Sequence, residues 1–349
     1  MASSLEQLVS LGFHKQAALQ TALVAADCWT LPYDSGGPLL ITPRMSNNAG
    51  KPGTGTPYST VVYKESLITT KSITAKLSSE WAAMCAVFGI GNFTKSASGD
   101  GFKYAAAIDT GFAALEADLP VVTVVESVRQ GASAIYDYAA IGMALNRFSI
   151  NLKSGVGQDT CMCTMDWMGC GKYARPSTIS HPALETVHEF NIGQATALTI
   201  NGVNYLTSGL LVSLDFEHNN NIDESGNYII GGGTQEGYNI MGRMRKGGIP
   251  STTLRMRVEM PVGAAELDAL LDGTIGTGSV VITGDAMGAS YHKLELSFKQ
   301  IQYTTHVPAS GDNNLLVVDI DVDLQRHTSN GVLGFDAYCA QDEIGTAAS

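Results

Sequence analysis

Apolar and polar residues alternate along much of the chain. Residues 70–77 set Ile73, Ala75 and Leu77 against Ser72, Thr74 and Lys76. Residues 252–260 set Leu254, Met256, Val258 and Met260 against Thr253, Arg255, Arg257 and Glu259. A period of two puts each set on its own face of a strand. Each segment then runs into a short apolar stretch of helical period: 79–89, with a serine start and a glycine stop, and 263–273, again ending in glycine. Short β-branched or alternating segments follow the first helix at 121–126, 147–153 and 160–168, and the second at 279–283, 291–299 and 315–325.

The order strand, helix, three or more strands is thus written twice, which predicts a mainly β chain of two tandem similar domains, each with one short flanking helix. The join falls near residues 172–189, where Pro176 and Pro182 interrupt the pattern. The predicted division is an N-terminal arm and long loop over 1–63, a first β domain over 64–175 and a second over 176–349. In the arm, Leu5, Leu8, Leu11, Ala17, Leu19 and Leu23 sit at roughly helical spacing, predicting a short helix or an arm. Residues 29–63 are dense in Pro, Gly, Ser and Asn and predict a long loop with brief extended pieces, which in an assembly would reach a neighbour.

The length of 349 residues accommodates two cores. A hydrophobic share of 44% with 15% charged residues is globular, and no window approaches the roughly 20 apolar residues of a membrane span. The first residues show no signal-peptide pattern, predicting a soluble chain made in the cytoplasm. Acidic residues outnumber basic ones 33 to 21, for a formal charge of −12, so the basic footprint of a phosphate-gripping protein is missing.

Catalytic motifs are absent: no G-x-S-x-G elbow, no phosphate loop and no H-E-x-x-H. The seven histidines are scattered without ligand spacing, and His292 and His306 read as surface residues. Neither a metal nor a cofactor is expected. In Cys161-Met-Cys163-Thr-Met-Asp-Trp-Met-Gly-Cys170 the C-x-C spacing is wrong for zinc, and a strand would pack Cys161, Cys163 and Met165 as small hydrophobes. Residues 218–226 lack the calcium-loop register and read as a polar hairpin tip. Asp319, Asp321 and Asp323 share one face of a strand, with Ile320, Val322 and Leu324 on the other, predicting an acidic wet face over a core. Arg243, Arg245 and Lys246 form a locally positive stretch on an acidic protein, suited to docking against another copy.

The order of residues 197–202, 210–219, Gly242-Arg243, 254–260, the helix 264–271 and the two closing strands resembles tail tube proteins of long-tailed phages, best over 196–338. The resemblance implies a β-sandwich or barrel-like fold whose sheets join between subunits into a β-lined tube, built of stacked hexameric rings or, for a chain with two such domains, trimeric pseudo-hexameric ones. It implies a non-enzymatic virion protein, assembled in the host cytoplasm, that meets tape measure, terminator and baseplate proteins. DNA would pass through the lumen without specific binding, with Asp319, Asp321 and Asp323 facing it. The alternatives are another virion β protein, as in capsid decoration or a baseplate, and a hydrolase assembled from scattered Asp and Glu.

Overall fold

The computed structural model describes residues 7–20, 28–47, 62–108, 118–130, 133–153, 161–175, 184–208, 211–248, 250–260, 265–310, 316–327 and 331–345. The chain is mainly β. Its strands are β1 (Gln7–Lys15), β2 (Trp29–Thr30), β3 (Leu40–Asn47), β4 (Val62–Lys76), β5 (Phe93–Ser98), β6 (Gly101–Ile108), β7 (Val122–Gln130), β8 (Ser133–Lys153) and β9 (Cys161–Ala174). The later strands are β10 (Ala195–Ile200), β11 (Val203–Asn204), β12 (Leu211–Asn219), β13 (Thr234–Gln235), β14 (Tyr238–Asn239), β15 (Ser251–Glu259), β16 (Ile275–Met287), β17 (Ser290–Tyr303), β18 (Val307–Ser310), β19 (Leu316–Leu324) and β20 (Leu333–Cys339). Four short helices, α1 (Ser79–Met84), α2 (Tyr205–Ser208), α3 (Glu224–Asn227) and α4 (Ala265–Leu271), punctuate them. None is long and apolar enough to cross a membrane.

All twenty strands belong to one hydrogen-bonded network. Within it the same pairing order occurs twice, antiparallel throughout. The first half runs β1-β7-β8-β9-β4-β3. The second runs β10-β16-β17-β19-β15-β12. α1 follows β4 as α4 follows β15, and the sequence Gly-Ala separates β7 from β8 (Gly131-Ala132) and β16 from β17 (Gly288-Ala289).

Two antiparallel seams sew the halves together, beside a short parallel pairing of β14 with β4 at Asn239↔Ser66. β8 carries β9 on one edge, while its other edge carries β7 over residues 133–143 and β12 over 147–153, in register Arg147↔Asn219 to Lys153↔Ser213. At the second seam β20 lies between β6 of the first half and β17 of the second. One large core cluster spans both halves, and in it Phe148, Phe216, Phe298 and Phe335 are fully buried. Phe148 stands 5.9 Å from both Phe216 and Phe335, and Phe216 lies 6.2 Å from Phe298.

β18 continues the line of β17 past residues 304–306, because β19 pairs with both, at Tyr303↔Val322 and then at Val307↔Asp319. Residues 290–310 therefore cover the same length of chain as β8. Where β8 offers its edge to β12, however, no strand among the described residues takes the matching edge of β18. Nor does any strand among the described residues pair with the outer edge of β3, which holds in the first half the terminal position that β12 holds in the second. Each of these edges contains a proline, Pro43 in β3 and Pro308 in β18.

Several expectations change. The arm is a strand from Gln7 to Lys15, because pairing with β7 along its whole length outweighs an imperfect helical spacing. Residues 21–27 of the arm, 48–61 of the long loop and 176–183 of the expected join lie outside the described residues. α1 is capped by the Ser78 side chain, which accepts from the Trp81 N–H at 3.2 Å. It passes into a π-helical turn over Cys85–Ile90 and ends at Gly91, whose φ of 80° suits glycine, and not at Gly89. Gly89 has a packing role: a Cβ there would lie 2.6 Å from the Phe148 ring. The six cysteines are buried thiols, with Cys85 Sγ 3.7 Å from Cys163 Sγ.

Residues 218–226 are no hairpin tip. His218 is buried at the end of β12, its Nδ1 2.9 Å from Thr252 Oγ1 and its ring 5.6 Å from Phe148. Burial, then Lys246, lowers its pKa from 6.5 to about 4. The unfolded chain binds this proton more readily, so stability is intact above pH 6.5 and falls as the pH drops toward 4, by about 3 kcal/mol. Urea unfolding at several pH values should show His218→Gln losing less stability than the parent across that window; parallel curves would refute the assignment.

Candidate assembly surfaces

The sheet that runs β4-β9-β8-β12-β15-β19 buries one face and wets the other. Alternation turns Phe148, Ile150 and Leu152, then Leu214 and Phe216, then Leu254, Met256 and Val258, then Ile320 and Val322 into the core. The opposite face carries charges in cross-strand register. Ser72 Oγ donates to Asp166 at 2.7 Å, Arg147 reaches Glu217 at 2.7 Å and Asp166 at 4.0 Å, and Asn151 donates to Asp215. The contacts from Arg147 and Asn151 to β12 staple the seam from its wet side. Such half-exposed pairs contribute roughly 0–1 kcal/mol each, so they align strands more than they stabilise them.

The row on β19 stands within this ladder. Asp319 accepts two bonds from Arg257, at 2.6 and 2.9 Å, and these hold its carboxyl below the ordinary range. Asp321 pairs with Arg255 at 3.0 Å and accepts from Thr305 Oγ1 at 3.1 Å, while Asp323 accepts from Gln325 at 3.3 Å. A shallow groove of about 430 Å³, lined by Ser213, Asp215, Arg255, Arg257, Asp319 and Asp321, follows the row. The expected acidic face is therefore mixed in charge, since the arginines of β15 lie in register with the aspartates of β19.

The basic stretch is used largely within the chain. Arg243 donates to the Gly226 carbonyl at 2.7 and 3.2 Å, and Arg245 Nε pairs with Asp118 Oδ1 at 2.8 Å. Lys246 is partly buried, which lowers its pKa, and its backbone bridges Ile222. These residues close the loop after β12 onto its neighbours.

Beside the bare edge of β3, the segment 33–39 is pinned by a buried ion pair. Lys71 of β4 and Glu126 of β7 meet with side chains only 2% and 1% exposed. Lys71 also donates to the Gly37 carbonyl at 2.8 Å, and Glu126 accepts from the Leu39 N–H at 3.1 Å. Tyr33, over which Lys71 stands at 5.7 Å, has its phenol pushed up to about 12 by burial and then by Glu126.

A second polar cluster lies where the halves meet. Glu80 of α1, His188 of the connecting segment and His292 of β17 converge, their nearest ligand atoms all within 4.8 Å. His292, expected at the surface, is 2% exposed. The two imidazoles stack with centroids 3.7 Å apart, and burial followed by His188 lowers the His292 pKa. Since His188 lies 108 residues beyond Glu80, no local spacing could announce the cluster.

No protein-family model and no curated protein matches the chain.

Proposed function

We propose that this chain is a virion structural subunit of the phage tail tube type, made of two tandem copies of one β domain, and that it polymerises head to tail into stacked rings around a channel. The observation that carries the reading is the seam between β8 and β12. Inside one chain the first half's long strand offers its edge to the second half's terminal strand. The matching long strand of the second half, ending in β18, and the matching terminal strand of the first half, β3, each have an edge that no strand among the described residues takes. A second copy supplies what each lacks, and a heterologous contact of this kind closes into a ring when its rotation permits. Three chains would bring six domains to that ring, the trimeric, pseudo-hexameric form, or six chains a hexamer.

The open edges also carry exposed apolar side chains: Leu40 and Met45 on β3, Val307 on β18 and Leu316 at the start of β19. Burying them favours the contact. In the ring the wet face would line the channel. Arg255 and Arg257 are held by Asp321 and Asp319, so few free cations remain to grip a phosphate backbone, and DNA would slide past. The role is structural and not catalytic, in the virion tail, with tape measure, terminator and baseplate proteins as neighbours.

Negative-stain microscopy of the purified chain should show hollow filaments. The double variant Met45→Lys, Val307→Lys should keep the parent's circular dichroism and remain monomeric. Discrete rings that never stack would favour a decoration or baseplate role instead, and filaments unchanged in the variant would overturn the edge contact.

A further inference from the structure

Independently of any tube, we infer that Glu80, His188 and His292 bind a divalent transition-metal ion of the zinc type, which ties the first half of the chain to the second. Glu80 is 4% exposed, and none of the ion pairs among the described residues gives it a lysine or arginine. A buried carboxylate without a cation is costly. Its oxygens accept one bond each, Oε1 from Ser79 Oγ at 2.8 Å and Oε2 from the His188 N–H at 3.0 Å, so each keeps a lone pair.

The same hydroxyl fixes the tautomer of His292. Ser79 has one proton and gives it to Glu80, so the 2.8 Å contact between Ser79 Oγ and His292 Nδ1 is donated by the imidazole. Nδ1 therefore carries the proton and Nε2 presents a free lone pair, the arrangement in which an outer hydrogen bond orients a ligating histidine. His188 is backed in turn by the Asp285 carboxylate, 3.8 Å from its Nδ1. Two neutral imidazoles and a carboxylate form a donor set for zinc, with a fourth position open to solvent or to Asp285, itself exposed. Bonds of about 2.0–2.2 Å require the three ligand atoms to draw together from their present spacing and the two stacked imidazoles to tilt apart, so that their in-plane lone pairs converge.

The second half supplies an internal control. α4 places Glu266 one residue after its start, as α1 places Glu80, and Glu266 is likewise buried. There the carboxylate accepts from the Tyr205 hydroxyl at 2.9 Å, with Tyr303 close by. The Tyr205 phenol satisfies one of its oxygens by donation and offers a metal nothing comparable. In the first half the corresponding partners are imidazoles.

The test uses the full-length chain without a histidine tag, stripped with a chelator and dialysed against micromolar zinc sulfate. Elemental analysis should find one zinc per chain, and the thermal midpoint should rise on reloading. His292→Ala and His188→Ala should each weaken zinc binding at least tenfold, whereas Glu266→Gln should leave the zinc content unchanged. If either histidine variant fails to fold, Co²⁺ loaded into the parent decides: weak d–d bands with no thiolate charge-transfer band support nitrogen and oxygen ligands. Less than a tenth of an equivalent of zinc in the parent, a full equivalent in a histidine variant, or a thiolate band pointing to the cysteines would overturn the site.

Discussion

Replacing Glu126 by alanine is expected to destabilise the chain by about 3–5 kcal/mol. The reason is what the change leaves behind. Lys71, 2% exposed, would be left in the core with the Gly37 carbonyl and the Tyr33 ring in place of a counter-ion, and the Leu39 N–H would lose its acceptor. The double variant Lys71→Met, Glu126→Leu should recover most of the loss, because a buried ion pair gains little over apolar groups of similar volume. The urea midpoints of the two variants decide the matter. A single variant costing under about 1 kcal/mol would mean that water reaches the pair.

Phe216→Ala is expected to cost about 3–5 kcal/mol, through lost apolar burial and the cavity left among Phe148, Phe298 and Phe335. Arg147→Ala, which removes the charge from the wet side of the same seam, should cost less than about 1 kcal/mol. The contrast locates the strength of the seam in its buried face. Because one aromatic cluster spans both halves, urea unfolding of the parent should follow a single transition by fluorescence and by circular dichroism. Two separated transitions would show halves that fold alone, and equal costs for the two variants would contradict the division between faces.

Much of the strand pattern was legible in the sequence. β15 and β19 each bury one face and wet the other, and a period of two is enough to separate those faces from residue type alone. β8 was legible only from residue 147 onward. Ala139, Ala140, Ile141, Met143, Ala144 and Leu145 are all buried, so the earlier part of the strand shows no alternation to detect. β1 was hidden by leucines at a spacing that imitates a helix. The aspartates of β19 and the arginines of β15 were each visible as one face of a strand, but their pairing depends on the register between two segments about 60 residues apart, as with Arg257 and Asp319. The cluster of Glu80, His188 and His292 depends on still longer closures, and isolated histidines carry no trace of them.

The prolines at the two bare edges have a kinetic consequence. A proline removes one backbone donor from its strand, so a first encounter between Pro43 in one copy and Pro308 in another begins with fewer bonds than the uninterrupted seam between β8 and β12. Pairing at such edges gains most from a template that already holds the opposite strand in place. In the proposed assembly, growth by this route would be seeded: copies would accumulate unpaired, and elongation would wait for a nucleus that presents its first edge.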